Sequence, residues 1–308
     1  MPPLQRVLVA NRGEIAVRII RACIDEGIES VAIVSEADRE SMAAYLADQV
    51  VCIGPGNAAE SYLDLKRVIS AAVLTQCDAL HPGYGFLAER PELVEICNEN
   101  GIVFIGPSAD AIRRGGDKVQ ARALAHSLGI STGAGSSALV DVDEAELIAD
   151  QVGFPVLMKA AAGGGGRGMV LVEDSSDIRE RFASASNEAL QAFGDGRLYI
   201  ERFISRARHV EVQVLADTHG NVVHLGERDC TAQRRYQKVV EEAPANFVAP
   251  EVRAQLHHAA ITLARGLDYV GAATVEFIVD AQTGDFSFLE VNTRVQVEHP
   301  VSEMVTGI

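Results

Sequence analysis

Residues 288–300 read Phe-Leu-Glu-Val-Asn-Thr-Arg-Val-Gln-Val-Glu-His-Pro, with a polar side chain at every second position from Glu290 to Glu298. Alternate side chains of an extended chain point the same way, so five polar groups share one face and a mostly apolar row forms the other. Two carboxylates, two amides and a guanidinium within nine residues favour a ligand-binding face. An edge strand with a solvated polar face is the alternative interpretation.

The segment before this stretch predicts a partner strand over 273–279. If the turn between the two strands holds an odd number of residues centred on Thr283, Glu276 lies opposite Glu290. Facing carboxylates repel each other, and a cation between them would remove that cost. Carboxylate oxygens with the amide of Asn292 suit Mg²⁺ or Mn²⁺, with nucleotide phosphates completing the shell. An even-numbered turn would put the two glutamates on opposite faces.

The composition describes a well-cored globular chain of two or three domains, with 308 residues, 48% hydrophobic and 23% charged. A formal charge of −16 argues against nucleic acid or an anionic membrane as the main partner, so a site for an anionic substrate must be built from local cations. Five cysteines without CxxC spacing indicate thiols in a reducing, cytoplasmic compartment. No run approaches the length of a membrane span, and a strand starts too early for a signal peptide.

The first third of the chain alternates between short apolar strands and helices. A strand over 6–10, a helix from Ile15 to its C-cap at Gly27 and a strand over 30–35 form a βαβ unit. This pattern predicts an α/β fold with a parallel sheet. The loop 81–86, His-Pro-Gly-Tyr-Gly-Phe, follows a strand, which is where open α/β sheets bind ligands. A simple tight turn is the alternative.

Residues 160–169, Ala-Ala-Ala-Gly-Gly-Gly-Gly-Arg-Gly-Met, join two predicted strands. The glycines weaken a hairpin, but they allow bare N–H groups to lie along phosphate oxygens in a loop that opens and closes. No GK[ST] sequence opens a helix here, so the loop is not a Walker A motif. We expect a flap over a triphosphate, with Lys159 as a point charge, in a small α+β unit over about 131–203. A flexible hairpin tip is the alternative.

Two further segments carry clustered polar side chains. Alternation over 209–216 places His209, Glu211 and Gln213 on one strand face. Residues 228–238 concentrate four cations in an acidic chain. The apolar residues that follow favour anchoring of this run against the body of the protein over a solvated basic turn.

Together these motifs resemble the biotin carboxylase component of biotin-dependent carboxylases, which is an ATP-grasp enzyme. The resemblance is carried by the glycine-rich loop after Lys159, the segment 227–244 and the segment 290–300. Residues 10–15, Ala-Asn-Arg-Gly-Glu-Ile, and 81–89 resemble the N-terminal domain of that family.

The resemblance covers about residues 5–308 and implies two domains. A Rossmann-like parallel-sheet domain would span 1–116, and an ATP-grasp domain would span 117–308, with 131–203 as its glycine-loop lid.

The resemblance also implies a role for each matching residue. ATP would be bound by Lys118, Lys159, Gly165, Gly166, Glu201, Arg202, Phe203, Ile204, His209, Gln233, Tyr236, Glu276 and Glu290. Two Mg²⁺ or Mn²⁺ ions would be held by Glu276, Glu290 and Asn292. Bicarbonate would be held by Lys238, Arg294, Gln296 and the backbone of Val297. The catalytic residues would be Lys238, Arg294 and Glu298.

The implied reaction begins when Glu298 removes the bicarbonate proton. Bicarbonate then attacks the γ-phosphate of ATP to give carboxyphosphate, whose breakdown leads to carboxylation of carrier-bound biotin. Such phosphoryl transfer needs charge neutralisation and in-line positioning more than covalent chemistry. The implied partners are a biotin carboxyl carrier protein or domain, a carboxyltransferase subunit and a second copy in a homodimer or larger complex, with no nucleic acid and no membrane.

Two features depart from the family pattern. Tyr236 stands where the family commonly has His, and we expect altered nucleotide affinity because a phenol carries no positive charge near neutral pH. The family's domain continues beyond the position of Ile308, so we expect a truncated form of a longer protein, inactive if this is its true end. Two other functions stay open: another ATP-grasp ligase such as a carbamoyl-phosphate synthetase, which biotin-dependent ATP turnover would separate, and nucleotide binding without catalysis.

Overall fold

The computed structural model describes residues 3–136, 141–161, 168–235 and 237–308. These residues form three β-sheets with helices packed against them. No helix in these ranges combines the length and the apolar character that crossing a membrane needs. All five cysteines are free thiols, and four of them are buried.

The first sheet is parallel, with the strand order β3-β2-β1-β4-β5, so the predicted α/β fold with a parallel sheet is confirmed. Its strands are β1 (Arg6–Val9), β2 (Glu29–Ser35), β3 (Gln49–Gly54), β4 (Ala79–His81) and β5 (Val103–Phe104). The accompanying helices are α1 (Gly13–Glu26), α2 (Met42–Leu46), α3 (Leu65–Leu74), α4 (Pro91–Glu99) and α5 (Ala109–Gly116).

Helix α1 shows how the sequence builds this layer. Its buried side chains recur at helical spacing: Ile15, Ala16, Ile19, Ile20 and Cys23. The helix ends at Gly27, whose φ of 68° is the left-handed conformation of a C-cap glycine, as the sequence predicts. The first βαβ unit therefore follows from local sequence alone.

The loops after the central strands β1 and β4 are tied together by Asn11. Its Nδ2 donates to the carbonyl oxygens of Pro82 at 2.8 Å and Tyr84 at 2.7 Å. Gly83 has a φ of 64°, and a Cβ there would lie 3.0 Å from Asn11 Nδ2, so this close approach requires glycine. The segment 81–86 thus adopts a tight turn, and its Tyr84 hydroxyl donates to the carboxylate of Glu14.

The second sheet has three antiparallel strands in the order β7-β6-β8. In chain order α6 (Lys118–Ser127) precedes this sheet, whose elements are α7 (Val142–Val152), β6 (Val156–Ala160), β7 (Met169–Val172), α8 (Ile178–Phe193) and β8 (Leu198–Arg202). Alternate residues of β6 and β8 are buried, and they share one apolar core with α7 and α8. Of the phosphate flap predicted over 160–169, residues 162–167 lie outside the described residues.

The third sheet has five antiparallel strands in the order β11-β10-β9-β12-β13. Its elements are β9 (Ala207–Ala216), β10 (Val222–Arg234), β11 (Gln237–Glu242), α9 (Pro250–Gly266), β12 (Gly271–Asp280), β13 (Phe286–Asn292) and α10 (His299–Thr306). One face packs in an apolar core with α9 and α6. Because strand side chains alternate, the other face of β9 carries His209, Glu211 and Gln213.

Helix α5 packs against the end of β13, which brings the first and third sheets together. A Cβ on Gly115 would lie 2.6 Å from Thr293 Cγ2 and 3.3 Å from Val291 Cγ1. Asp117 follows and caps α6 by accepting hydrogen bonds from two backbone N–H groups of its first turn. The division into domains 1–116 and 117–308 stays a proposal, consistent with this helix junction.

We expect Gly115→Ala to lower the free energy of unfolding by about 1–3 kcal/mol. Thr293 is fully buried and β-branched, so its methyl group cannot easily move aside for the new Cβ. Gly116→Ala is the matched control, because a Cβ at Gly116 meets nothing within 4 Å and alanine favours the helix. Urea unfolding of both variants measures the difference, and equal effects would contradict this packing.

His81 predicts a pH dependence of stability. Its Nδ1 accepts the backbone N–H of Gly83 at 3.0 Å, and burial lowers the pKa of His81 to about 4. As the pH falls, the unfolded chain therefore binds a proton at His81 before the folded chain does. The contribution of His81 to stability is fully present above pH 6.5 and is lost as the pH falls towards 4. We expect the His81 contribution to weaken by about 2 kcal/mol between pH 7 and 5.

The variant His81→Asn keeps a side-chain acceptor for the same N–H but does not titrate. Its unfolding free energy should therefore fall less steeply between pH 7 and 5 than that of the wild type. His126→Asn, at an exposed position, is the control and should keep the wild-type slope. Chemical denaturation across this pH range gives the slopes, and a wild-type slope in His81→Asn would count against the assignment.

Candidate active site

Glu276 and Glu290 do lie opposite each other, but a β-bulge puts them there and not an odd-numbered turn. Val279 pairs with Phe286, so the turn over 280–285 holds an even number of residues. The register then shifts by one between Glu276 and Phe277, which leaves Leu289 as the extra residue of β13. The predicted pairing is correct, and the predicted reason for it is wrong.

Three carboxylates lie side by side across β9, β12 and β13. Glu276 pairs with Glu290 on one side and with Glu211 on the other, and Arg228 on β10 pairs with Glu211 in turn. Glu211 is fully buried and Glu276 is 3% exposed. Like charges in such a row destabilise the sheet unless cations accompany them.

Lys238 on β11 supplies the central cation. Its Nζ lies 2.5 Å from Glu211 Oε2, 3.0 Å from Glu276 Oε1 and 2.6 Å from Glu298 Oε1. Burial acts against its charge, but the carboxylates of Glu276 and Glu211 outweigh burial and raise the pKa of Lys238. All three ammonium N–H groups therefore have carboxylate acceptors, and the side chain is a cation at neutral pH.

His209 and Gln233 hold the other side of Glu276. Gln233 Nε2 donates to His209 Nδ1 at 2.7 Å, so His209 Nε2 carries the proton and donates to Glu276 Oε2 at 2.5 Å. Burial acts to raise the pKa of Glu276, yet the hydrogen bond from His209 and the charge of Lys238 hold it well below its ordinary value. Asn292 Nδ2 donates to the same carboxylate at 2.8 Å.

Arg228 is fully buried beneath the carboxylate row. Its N–H groups donate to Glu211 at 2.6 Å, Gln213 at 2.9 Å, Ser302 at 2.7 Å, and Thr274 and Gln296 at 3.4 Å each. A guanidinium stays charged at any ordinary pH, so Arg228 provides a permanent positive charge beside Glu211. It also links the sheet to α10 through Ser302.

The polar alternation over 290–298 does not continue as one strand, so this prediction is wrong beyond Asn292. β13 ends there, and the backbone turns before α10 begins at His299. Gln296 still reaches Glu276 at 3.3 Å and Glu298 still reaches Lys238. Because the chain turns, side chains from successive positions can converge on one point, whereas a straight strand would space them along its length.

Arg294 points elsewhere, towards the first sheet. Its Nε donates to Glu89 Oε2 at 2.9 Å, and its Nη2 lies 3.5 Å from Asn292 Oδ1. Val297, in the turn before α10, is 62% exposed. The predicted bicarbonate residues therefore border the carboxylate row from two sides, with Lys238 and Gln296 inside and Arg294 and Val297 at the rim.

The predicted phosphate-binding lysines pair with carboxylates on two different sheets. Lys118 Nζ is 3.2 Å from Glu290 Oε2. Lys159 contacts Glu201 Oε2, while Arg122 Nη1 donates to Glu201 Oε1 at 2.6 Å. Arg202, Phe203 and Ile204 follow Glu201 at the end of β8, where the backbone N–H of Phe203 donates to the Pro155 carbonyl oxygen at 3.0 Å. Gly165, Gly166 and Tyr236 lie outside the described residues.

Three site residues were not predicted as such: Glu211, Arg228 and Arg122. For Glu211 the sequence did carry a signal, because the alternation over 209–216 put it on the same strand face as His209, but no role was assigned to it. The basic run 228–238 divides, with Arg228 buried and Arg234 and Arg235 exposed. Nothing in the local sequence separates these arginines, because their burial depends on the strands that cover them.

Two family models match the chain. The model described as "Biotin carboxylase, N-terminal domain" matches residues 3–112, and that described as "Carbamoyl-phosphate synthase L chain, ATP binding domain" matches residues 117–308. Biotin carboxylase from Nostoc sp. is 49% identical over 304 residues, which cover 98% of this chain and 68% of that protein. Biotin carboxylase 1 from Bacillus subtilis is 48% identical over 305 residues, covering 99% and 68%.

Solved structures give the same result. The biotin carboxylase–beta-gamma-ATP complex from Campylobacter jejuni has a TM-score of 0.92 at 46% identity, covering 99% of this chain and 69% of that chain. The biotin carboxylase domain dimer of Hydrogenobacter thermophilus 2-oxoglutarate carboxylase, in complex with MgADP, ADP and bicarbonate, has a TM-score of 0.89 at 45% identity, covering 100% and 68%.

The parallel sheet, the three-stranded sheet and the carboxylate-lined antiparallel sheet define an ATP-grasp ligase. Within that class, the chain belongs to the biotin carboxylase family. It spans about 68% of the length of the Nostoc and Bacillus relatives.

We expect Arg228→Met to lower the free energy of unfolding by about 3–5 kcal/mol, because buried Glu211 loses one of its two cationic partners and then shares the single ammonium of Lys238 with two other carboxylates. Arg234→Met removes an exposed arginine from the end of the same strand and should change stability by no more than about 0.5 kcal/mol. Urea denaturation at pH 7 compares the two. Similar small losses would show that Arg228 is not needed to hold the carboxylate row.

Proposed function

We propose that this protein uses ATP and bicarbonate to carboxylate biotin borne on a carrier protein, through carboxyphosphate. The observation that carries this proposal is the convergence of Glu211, Glu276 and Glu298 on Lys238, beside Glu290. In this proposal one of these carboxylates would act as the base, Lys238 would be the cation for an anionic substrate, and Glu276 with Glu290 would bind metal ions. Those are the groups that phosphoryl transfer from ATP to bicarbonate requires.

Glu298 is the proposed general base. Its side chain is 8% exposed, whereas that of Glu211 on the same ammonium is fully enclosed, so Glu298 is the more accessible of the two. Lys238 can release Glu298 and take the negative charge of bicarbonate while it keeps its two buried partners. The carboxylate that is released then lies within hydrogen-bond reach of the substrate proton.

Bicarbonate would be positioned by Lys238 and by the residues at the rim. Gln296 has its oxygen directed at Arg228, so its amide nitrogen faces Glu276 and the substrate side. Arg294 is already held by Glu89, which fixes the plane of its guanidinium and leaves other N–H groups for a bidentate contact with an anion. The backbone of Val297 completes the proposed set.

The donor set of Glu276, Glu290 and Asn292 fits Mg²⁺ or Mn²⁺, because two facing carboxylates and an amide lie at one end of the hairpin. The amide nitrogen of Asn292 faces Glu276, so a half-turn of that amide would present its oxygen. Divalent ions bound there would neutralise the phosphate charge of ATP. The bulge already puts Glu276 and Glu290 opposite each other in the hairpin.

The nucleotide would lie between the second and third sheets. Lys118 and Lys159 border this cleft from α6 and β6, and both are paired with carboxylates there. The proposed adenine and ribose pocket comprises Glu201, Arg202, Phe203, Ile204, His209 and Gln233. The proposal extends to Gly165, Gly166 and Tyr236, which lie outside the described residues.

The proposed reaction requires partner proteins. A biotin carboxyl carrier protein would deliver biotin, a carboxyltransferase would receive the carboxyl group, and a homodimer or larger complex would form. The dimer of the Hydrogenobacter thermophilus domain supports the homodimer. Relatives such as the propionyl-CoA carboxylase alpha chain of Ruegeria pomeroyi support a larger assembly. A cytoplasmic location belongs to the same proposal.

We expect Glu298→Gln to keep ATP binding and to lower bicarbonate-dependent phosphate release at least 100-fold, because an amide cannot accept the substrate proton. Glu303→Gln, on the outer part of α10, is the matched control and should retain most of the turnover. Phosphate release from ATP is measured with and without bicarbonate, and with and without free biotin. Unchanged turnover in Glu298→Gln would overturn the assignment of the base.

The same assay separates the proposed function from another ATP-grasp ligase. Stimulation of ATP turnover by biotin supports the biotin enzyme. Bicarbonate-dependent turnover that biotin does not stimulate would favour acyl-phosphate formation for a different acceptor. The family model named for carbamoyl-phosphate synthase would be in line with that outcome. Nucleotide binding without turnover would contradict the catalytic proposal.

A further inference from the structure

Helix α6 presents two cations to the cleft, and they pair with carboxylates on different sheets. Lys118 is the first residue of α6 and Arg122 lies one turn later, so both project from the same face. Lys118 contacts Glu290 on β13 at 3.2 Å, and Arg122 contacts Glu201 on β8 at 2.6 Å. The helix thus links the second sheet to the third at the edge of the proposed nucleotide site.

Glu201 is shared between two cations. Arg122 occupies Oε1 and Lys159 occupies Oε2. The side chains of the three residues are 23%, 19% and 14% exposed for Arg122, Glu201 and Lys159, so solvent screens their interactions only in part. Both cations also lie near the face of the Tyr199 ring, at 5.9 and 5.8 Å from its centroid.

This small cluster carries a net positive charge. Glu201 contributes one negative charge, Arg122 and Lys159 contribute two positive charges, and burial together with the Glu201 charge raises the pKa of Tyr199 so that the phenol stays neutral. If Arg122 were absent, Lys159 and Glu201 would neutralise each other. An incoming anion would then have to break a partly buried ion pair to reach the lysine.

We propose that Arg122 is a positioning residue that holds Glu201 and thereby frees Lys159 to bind the polyphosphate of a nucleotide. The inference rests on the proposed function, which places nucleotide phosphates at Lys159. Arg122 acts through Glu201 and not by touching the phosphates, since its guanidinium is bound to the oxygen opposite the one that Lys159 uses. When phosphate binds Lys159, the carboxylate of Glu201 keeps Arg122 as a cationic partner, so its charge is still compensated.

The test measures the affinity of the purified protein for MgATP by calorimetric titration. We expect Arg122→Met to raise the Kd about 10-fold, and Arg122→Lys to recover most of the loss because it restores the charge beside Glu201. Arg181→Met removes an exposed arginine from α8 and controls for the lost charge, so its Kd should not change. The KM for bicarbonate should stay within about 2-fold of the wild type in Arg122→Met, because Arg122 lies away from the Lys238 cluster.

The double variant Arg122→Met, Glu201→Gln decides how Arg122 acts. Glu201→Gln alone is the reference, because Glu201 also belongs to the proposed nucleotide pocket. If Arg122 works by holding Glu201, neutralising that carboxylate removes the competition for Lys159, so the Kd of the double variant should lie within about 3-fold of that of Glu201→Gln alone. A double variant that binds about 10-fold more weakly than Glu201→Gln alone would overturn the proposal in favour of a direct contact with phosphate.

Failure of this inference and failure of the proposed function give different results. Tight MgATP binding by the wild type with an unchanged Kd in Arg122→Met overturns the role of Arg122 and leaves the function standing. A wild type that binds no MgATP overturns both. Thermal unfolding of each variant identifies losses of affinity that come from misfolding, and a folded Arg122→Met with a raised Kd supports the proposal.

Discussion

Glu211, Glu276 and Glu290 bring three negative charges onto adjacent strands, and the rest of the site follows from how their repulsion is offset. Lys238 and Arg228 reach the row from β11 and β10, and they give the buried carboxylates partners on both sides. The chain has 27 Lys and Arg residues against 43 Asp and Glu, and two of those cations pair with this row. In the proposed function, the cation that stabilises the buried carboxylates is also the one that would bind the anionic substrate.

The candidate site draws residues from all three sheets, and a separate ion pair holds each contribution in place. Arg294 reaches Glu89 beside the first sheet, and Lys118 on α6 reaches Glu290 on the third. Glu201, on the second sheet, is bound from α6 as well. Chemistry between two anions needs their approach to be fixed to within fractions of an ångström, and a site divided among three packed layers can provide that only if the layers are held together.

Much of the fold could be predicted from sequence because its elements depend on local patterns. Apolar spacing and a capping glycine specify α1, and period-two alternation specifies β9 and the burial of Val210 and Val212. The pairing of Glu276 with Glu290 could also be predicted from the sequence, but the backbone geometry that produces this pairing could not. An even-numbered turn followed by a bulge gives the same register as an odd-numbered turn, and no local pattern distinguishes the two.

The sequence by itself determined which residues are candidates for the chemistry: the carboxylates, amides and cations of 290–298, the His209 strand and the basic run with Lys238. Only the tertiary structure decided how they meet. The chain leaves the strand after Asn292, so Glu298 and Gln296 converge on Lys238 and Glu276 where a straight strand would have kept them apart. The physical reason is that periodicity assigns a side chain to a face, while distances between charges depend on bends, bulges and layers that form only when distant segments pack.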